Sequence, residues 1–439
     1  MFTKWTGFIR RVLLMLRHAK DSLNTLLIQG DDSGANCSDT FQGQPASGSF
    51  LRLPPRILRL KIGITAGLVS GLLLSPKLWL SSRFYPLTPV WSGLRQPPFP
   101  LDYALFVGCV VLIVMIGILP RPSKLIGLYG ALAVALTLLD QSRLQPWFYE
   151  YTFMLITLGL ALRKNSRFET RTAAVNTCRL IVASIYFWSG LQKLNSGFIH
   201  DIFPWMIEPV NRLVPTMAIP LITRLGIMAP FVEFGIGLAL LSKRCRSIAV
   251  SVALAMHLFI LIAIGPLGQN KNTVIWSWNM IMAFFVIILF YRASDFSVRD
   301  LIWPKHGAFQ RVVLVLFSIA PLLSFFGLWD NYLSWALYAG NKSDASLYFT
   351  DSVYDKLPDD VQEYVTEERP GLNRLNISDW SYGELNTPPY PELRIYKNIA
   401  RTVCRYAERP TEVTIAVRSR TVLFKQSRQT TCDCSGLEH

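Results

Sequence analysis

The chain has 439 residues, 51% of them hydrophobic and only 17% charged, with a mean hydropathy of +0.31. That balance excludes an ordinary soluble domain and a disordered chain, and it identifies an integral membrane protein. The net charge of +15 does not imply nucleic acid, because no recognition motif accompanies the basic residues, which in a polytopic protein gather in loops facing anionic lipid.

Residues 1–60 read as a basic arm and linker. In MFTKWTGFIRRVLLMLRHAK the apolar residues Phe2, Trp5, Phe8, Ile9, Val12, Leu13 and Leu16 recur at helical spacing beside Lys4, Arg10, Arg11, Arg17 and Lys20, the pattern of an amphipathic helix on a membrane surface. No acidic residue precedes Asp21, so a cleaved transit peptide is the open alternative. Gly30 to Ser49 has the composition of a flexible linker.

Residues 61–330 hold nine apolar segments, at about 62–81, 103–119, 125–140, 147–162, 174–192, 226–242, 248–266, 273–291 and 312–328, several of them shorter than an ideal span. Gly235 and Gly237, with Ala239, give the sixth a small face for close packing. The loops after the second, fourth, sixth and eighth segments are the basic ones, which predicts a cytoplasmic amino terminus and an extracytoplasmic carboxyl terminus. From 341 to 439 the composition is that of a small α+β domain. Within it Asp351–Glu368 is acidic and helical in part, SDWSYGELNTPPYPE reads as a Pro-rich loop, and Val413, Ile415 and Val417 alternate as in a strand. Asn341-Lys342-Ser343 and Asn376-Ile377-Ser378 match the glycosylation acceptor pattern. Cys432-Asp433-Cys434 lies in a polar tail that reads as an unstructured end.

The chemistry-bearing stretch is Ser184 to Asp201, SIYFWSGLQKLNSGFIHD. Lys193 closes the fifth segment near the outer interface, as either a snorkelling anchor or an inward-facing amine that desolvation makes a competent base. Glu233 and His257, on the sixth and seventh segments, fall near the middle of the bilayer, where each ionisable side chain costs about 2.5–3.5 kcal/mol and must find a partner. They either lock adjacent helices or form a proton path toward Lys193. The loop 194–225, with His200 and Trp205, and the GPLGQNKNTVIWSWN stretch, with Trp278 and Asn279, lie on the same predicted side and supply a possible cavity lining or an aromatic belt. A transporter would need broken helices meeting at midplane, for which the chain offers Pro230 and Pro266. No phosphate-cradling loop, zinc spacing, nucleophile elbow or internal repeat is present in the sequence.

Residues 185–194, IYFWSGLQKL, resemble the signature helix of vitamin K-dependent gamma-glutamyl carboxylases and of the wider horizontally transferred transmembrane domain (HTTM) family. The stretch APFVEFGIGLALLSKRCRSIAVSVALAMHLFI is similar to that family's next two helices. The resemblance implies a quinol (vitamin K-like) substrate and Lys193 as the base; the residues' own placement adds an all-α membrane bundle, His257 and Glu233 as proton partners, and Tyr186, His200, Trp205, Trp278 and Asn279 as the surrounding site. The carboxylases carry two adjacent lysines where this chain has Gln192-Lys193, and their outer region is far longer, so propeptide recognition and glutamate carboxylation are not carried over. The Gly-x-x-Lys-Leu helix end and the Glu-x-x-x-Gly of Glu233 and Gly237 also resemble the DoxX-like membrane proteins, linked to quinone and thiol redox chemistry. Against both stands a membrane scaffold or lipid-handling protein whose partners are membrane lipids alone.

Overall fold

The structure, a computed structural model, describes residues 54–437 except 213, 295 and 304–307. The amphipathic arm and linker expected before residue 54 lie outside the described residues. Each of the nine apolar segments coincides with a helix: α1 Pro55–Leu74, α2 Leu101–Ile118, α3 Ser123–Leu139, α4 Pro146–Ala161 and α5 Phe168–Gln192. After the short helices α6 Phe203–Asn211 and α7 Ile219–Leu225 come α8 Met228–Leu241, α9 Arg246–Ile264, α10 Thr273–Phe290 and α11 Ala308–Phe326. Prolines open α1 and α4, where the missing N–H would have had no intrahelical acceptor. α11 loosens from α-helix through one π turn into 3-10 geometry from Ala320 onward, next to Pro321, which can donate no backbone bond.

Among the described residues five helices, α1, α2, α9, α10 and α11, are long and apolar enough to cross a membrane. Thr216–Leu225 and α8, bent by 43° at Gly226 and Ile227, form a sixth if they are one span. α3 is apolar but shorter, and α5 carries Glu169, Arg171 and Arg179 in its 25 residues. Arg179 is buried all the same, donating from Nε to the Leu289 carbonyl at 3.0 Å with its guanidinium 4.0 Å from the Phe296 ring centre, and Arg246 lies 3.8 Å from the same ring.

Beyond α11 the chain builds a five-stranded antiparallel sheet in the order β2-β3-β1-β4-β5, from β1 Asp344–Phe349, β2 Val365–Arg369, β3 Leu372–Asn376, β4 Val413–Arg418 and β5 Gln429–Asp433. β4 is the strand its alternation predicts, with Val413, Ile415 and Val417 buried opposite Phe349, Leu347 and Ala345. Two helices pack with it, α12 Ile377–Leu385 and α13 Leu393–Val403, the second burying Ile395, Tyr396, Ile399, Ala400 and Val403 along one face.

Two readings of this region are corrected. The first half of SDWSYGELNTPPYPE is α12, not loop: Asn376 Oδ1 accepts from the Ser378 and Asp379 amides, and Trp380, Ser381, Glu384 and Leu385 are buried, so capping and burial outweigh the prolines that follow. The terminal C-x-C is no loose end, because Cys432 lies in β5 and Cys434 is disulfide-bonded to Cys404 at the end of α13. Of the two acceptor asparagines, Asn376 uses its side-chain oxygen to cap α12, and Asn341 exchanges hydrogen bonds with the Thr421 main chain, 2.8 Å in each direction.

The sheet domain is pinned to the bundle by carboxylates, Glu384 buried and Asp330 half-buried. Glu384 accepts from the amides of Phe84 and Tyr85, each at 2.8 Å, and from Trp380 Nε1 at 2.9 Å. Asp330 receives Arg394 and the Tyr390 hydroxyl, the latter at 2.8 Å. Three well-directed donors satisfy one desolvated carboxylate, which makes such a joint rigid.

Candidate functional site

The site starts from two glycines. A Cβ on Gly190 of α5 would stand 2.3 Å from the Phe234 amide nitrogen of α8, and one on Gly237 of α8 would stand 2.6 Å from the Phe187 amide nitrogen of α5. Only glycine lets the two backbones touch at both points. Gly235, expected on the same small face, meets nothing within 4 Å and faces away. The contact brings the last turn of α5 level with the second turn of α8.

Lys193 and Glu233 meet as a result. Lys193 Nζ lies 2.8 Å from Glu233 Oε2 and 2.6 Å from Ser189 Oγ, with the Ser189 carbonyl at 3.4 Å, so the ammonium's donors are all directed at protein oxygens. The two side chains are 11% and 14% exposed. Lys193 is therefore neither pointing into lipid nor relayed to a distant carboxylate: Glu233 is its direct partner and sits at its depth, not deeper in the bundle. Gln192, the residue before Lys193, turns away and donates to Ser324 Oγ at 2.7 Å. Asn195 fixes the helix end by donating to the Gln192 and Ala339 carbonyls while accepting from the Phe198 amide.

One helical turn below Ser189, Tyr186 meets His257 of α9, hydroxyl to Nε2 at 2.5 Å. His257 Nδ1 lies 2.8 Å from Asn279 Oδ1, and Asn279 commits its amide nitrogen to the Ile275 carbonyl at 2.9 Å. With the amide so oriented, Asn279 offers only an acceptor, which places the imidazole proton on Nδ1 and leaves Nε2 to accept from Tyr186. His257 thus pairs with Tyr186 and Asn279 and not with Glu233.

Both groups face one partly enclosed cavity of about 80 Å³, whose lining also includes Met206, Met256, Ile260, Met282, Leu337 and Tyr338. Of the eight residues singled out in the sequence, Lys193, Glu233, His257, Tyr186, Trp278 and Asn279 line it. Trp205 does not; it lines a neighbouring cavity, its ring stacked on Tyr338 at 6.1 Å between centres. His200 is exposed on the π turn Phe198–Ile202 and lines neither cavity. Three participants escaped the sequence reading. Ser189 lies one turn before Lys193 on the same face, and that spacing alone would have found it. Glu150, wholly buried in α4, accepts from Trp278 Nε1 at 2.7 Å behind the cavity wall, while its Oε1 has no partner. An acidic residue inside an apolar segment was its signal. Tyr338 reaches the site from the connector after α11, through a contact that no local pattern announces.

This arrangement can move a proton. A lysine that accepts one must first surrender one, and Glu233 Oε2 is placed to take it; Tyr186 and His257 form a second donor–acceptor pair in the same space. The remaining wall is apolar, so a substrate held here presents a hydroxyl or similar acidic group at one end and hydrocarbon at the other. Compared with known proteins, the chain matches no protein-family model, no curated protein and no solved structure.

Proposed function

We propose that this protein is a membrane enzyme with about nine spans that deprotonates a quinol or a similar lipid-like hydroxyl compound at Lys193. The observation that carries the proposal is the Lys193–Glu233–Ser189 cluster sharing one apolar cavity with Tyr186 and His257. In the proposed cycle Glu233 takes a proton from the Lys193 ammonium, and Lys193, now neutral, takes one from the substrate hydroxyl. That leaves the substrate anion beside a restored ammonium and a protonated Glu233, with charge conserved. In this reading Tyr186 turns its one hydroxyl proton from His257 Nε2 toward the resulting oxyanion, donating a hydrogen bond without transferring the proton.

The proposed orientation has the amino terminus in the cytoplasm and the C-terminal domain outside. Two independent features support it: the alternation of basic loops, and the Cys404–Cys434 disulfide, a bond kept mainly in oxidising compartments.

The test is modification of Lys193 by a water-soluble amine reagent in nanodiscs, read by peptide mass spectrometry with and without menadiol. Protection of Lys193 by menadiol, abolished in Tyr186→Phe/His257→Leu, is the expected result; equal labelling in both conditions would sink the proposal. One observation favours the scaffold reading instead. A cavity of about 80 Å³ is smaller than the roughly 150 Å³ that takes a single benzene ring, so a two-ring quinol enters only if a wall moves. If menadiol neither protects Lys193 nor raises the melting temperature, Lys193 and Glu233 are a structural pin between α5 and α8.

A further inference from the structure

A second cavity, of about 160 Å³, lies where the connector after α11 meets the C-terminal domain. Its walls include Trp205 of α6, Tyr332 and Tyr338 of the connector, Tyr382 of α12, and Pro388. Lys342 enters it just before β1.

The polar groups here divide into two kinds. Tyr338 and Tyr382 are satisfied, the Tyr338 hydroxyl receiving Asn272 Nδ2 at 3.2 Å and bonding to Tyr382. Lys342 Nζ and the Tyr332 hydroxyl have no hydrogen-bond or ion-pair partner among the described residues, although Tyr332 is only 2% exposed. Neither atom is sealed off, since each keeps accessible surface within this part-enclosed space. Burial away from water lowers the pKa of Lys342, and Asp344 opposes that only through space, without forming an ion pair. Burial also holds the Tyr332 phenol well above its ordinary pKa, so it stays a protonated donor.

Lys342 is half-buried and its ammonium has no counterion among the described residues, and a cavity that joins such an ammonium to a spare hydroxyl donor is complementary to an anion with two acceptor oxygens. The walls set the rest of the ligand. They are aromatic, and a volume near that of cavities that take benzene accommodates one six-membered ring and not two. A phosphate would find only two donors and an apolar surround unsuited to its charge.

We propose that this cavity binds a small aromatic carboxylate, its two oxygens held by the Lys342 ammonium and the Tyr332 hydroxyl and its ring lying against Trp205, Tyr338 and Pro388. The site is separate from the Lys193 cavity, from which it is divided by Leu337 and Tyr338, the residues common to both linings. It does not depend on the quinol reading.

Benzoate is the probe. Saturation-transfer NMR with the full chain in nanodiscs, with thermal unfolding in parallel, should show benzoate bound to the wild type and raising its melting temperature. Lys342→Met and Tyr332→Phe should each weaken binding tenfold or more, Lys342→Arg should retain it, and Lys193→Met should leave it unchanged. Cyclohexanol, of similar size but uncharged, should not compete. The proposal is overturned if Lys342→Met and Tyr332→Phe bind benzoate as the wild type does, if Lys193→Met alone abolishes binding, or if chloride at equal concentration gives the same thermal shift. Should Lys342→Met fail to fold, Tyr332→Phe and Lys342→Arg still decide the matter.

Discussion

Replacing Gly190 with alanine tests the geometry on which the Lys193 site depends. The added Cβ would lie 2.3 Å from the Phe234 nitrogen, against the 3.4 Å at which ordinary contact begins, and its neighbour is backbone, which cannot swing aside. α5 and α8 must therefore separate by about 1.1 Å at this level. Carried along the Lys193–Glu233 line, that displacement stretches the 2.8 Å contact to about 3.9 Å, past hydrogen-bond range. We expect Gly190→Ala to destabilise the bundle by about 1–3 kcal/mol, the usual range for overpacking. We also expect the Lys193–Glu233 coupling, measured by a double-mutant cycle over Lys193→Met and Glu233→Gln in detergent unfolding, to fall by at least half. Gly235→Ala is the control, because its Cβ meets nothing and the better helix former should be neutral or stabilising by up to about 1 kcal/mol. If the two alanine variants behave alike, the backbone contact does not position the ion pair.

Three further outcomes follow from the same structure. Glu233→Gln removes one member of a nearly buried pair and should cost about 3–5 kcal/mol, while Glu233→Gln combined with Lys193→Met should recover a large part of that; equal costs for single and double variants would contradict a direct pair. Reducing Cys404–Cys434, which closes a loop of sequence separation 30, should lower the unfolding free energy by roughly 3–4 kcal/mol on loop-entropy grounds, and an unchanged denaturant midpoint in the C404S/C434S variant would refute it. The folded-state pKa of Lys342 lies below the unfolded value near 10.5, so the unfolded chain binds more protons in that window and stability should rise as pH climbs through it toward 10.5. Lys342→Met lacks this term; its stability advantage over the wild type should shrink as pH rises, and a pH-independent difference would show that the amine is solvated.

Much of the bundle was legible because apolar runs of this length have one physical solution, a helix whose own backbone satisfies its polar groups. Lys193, Glu233 and His257 stood out for the complementary reason: charge is costly in such runs and must be partnered. Their pairing was less legible. Depth inferred from position within a segment put Glu233 below Lys193, but helices tilt and stagger, and the register between α5 and α8 is fixed by Gly190 and Gly237 fitting the facing backbone, a three-dimensional match that spacing along one chain cannot reveal. His200 lines neither cavity, because a polar residue close in sequence to a site need not be close in space. The C-terminal domain was the least readable part. Its sheet joins β1 to β3 and β4 across long separations, and Cys434 finds Cys404 without any spacing rule, whereas the Asn376 cap of α12 was a local signal masked by the prolines after it.

The backbone-to-backbone seam between α5 and α8 has a consequence for how anything enters the Lys193 cavity. Two helices meshed at Gly190 and Gly237 have almost no slack, so they form the fixed jamb of the opening, and the swing must come from the opposite side. That side is furnished for it: Met206, Met256 and Met282 are unbranched and readily change rotamer, and Leu337 and Tyr338 ride on a connector in which Tyr338 holds a left-handed backbone at φ 54°. If the cavity widens for a large guest, the change therefore falls on the α6, α9 and α10 side and the connector, with Lys193 and Glu233 staying in place.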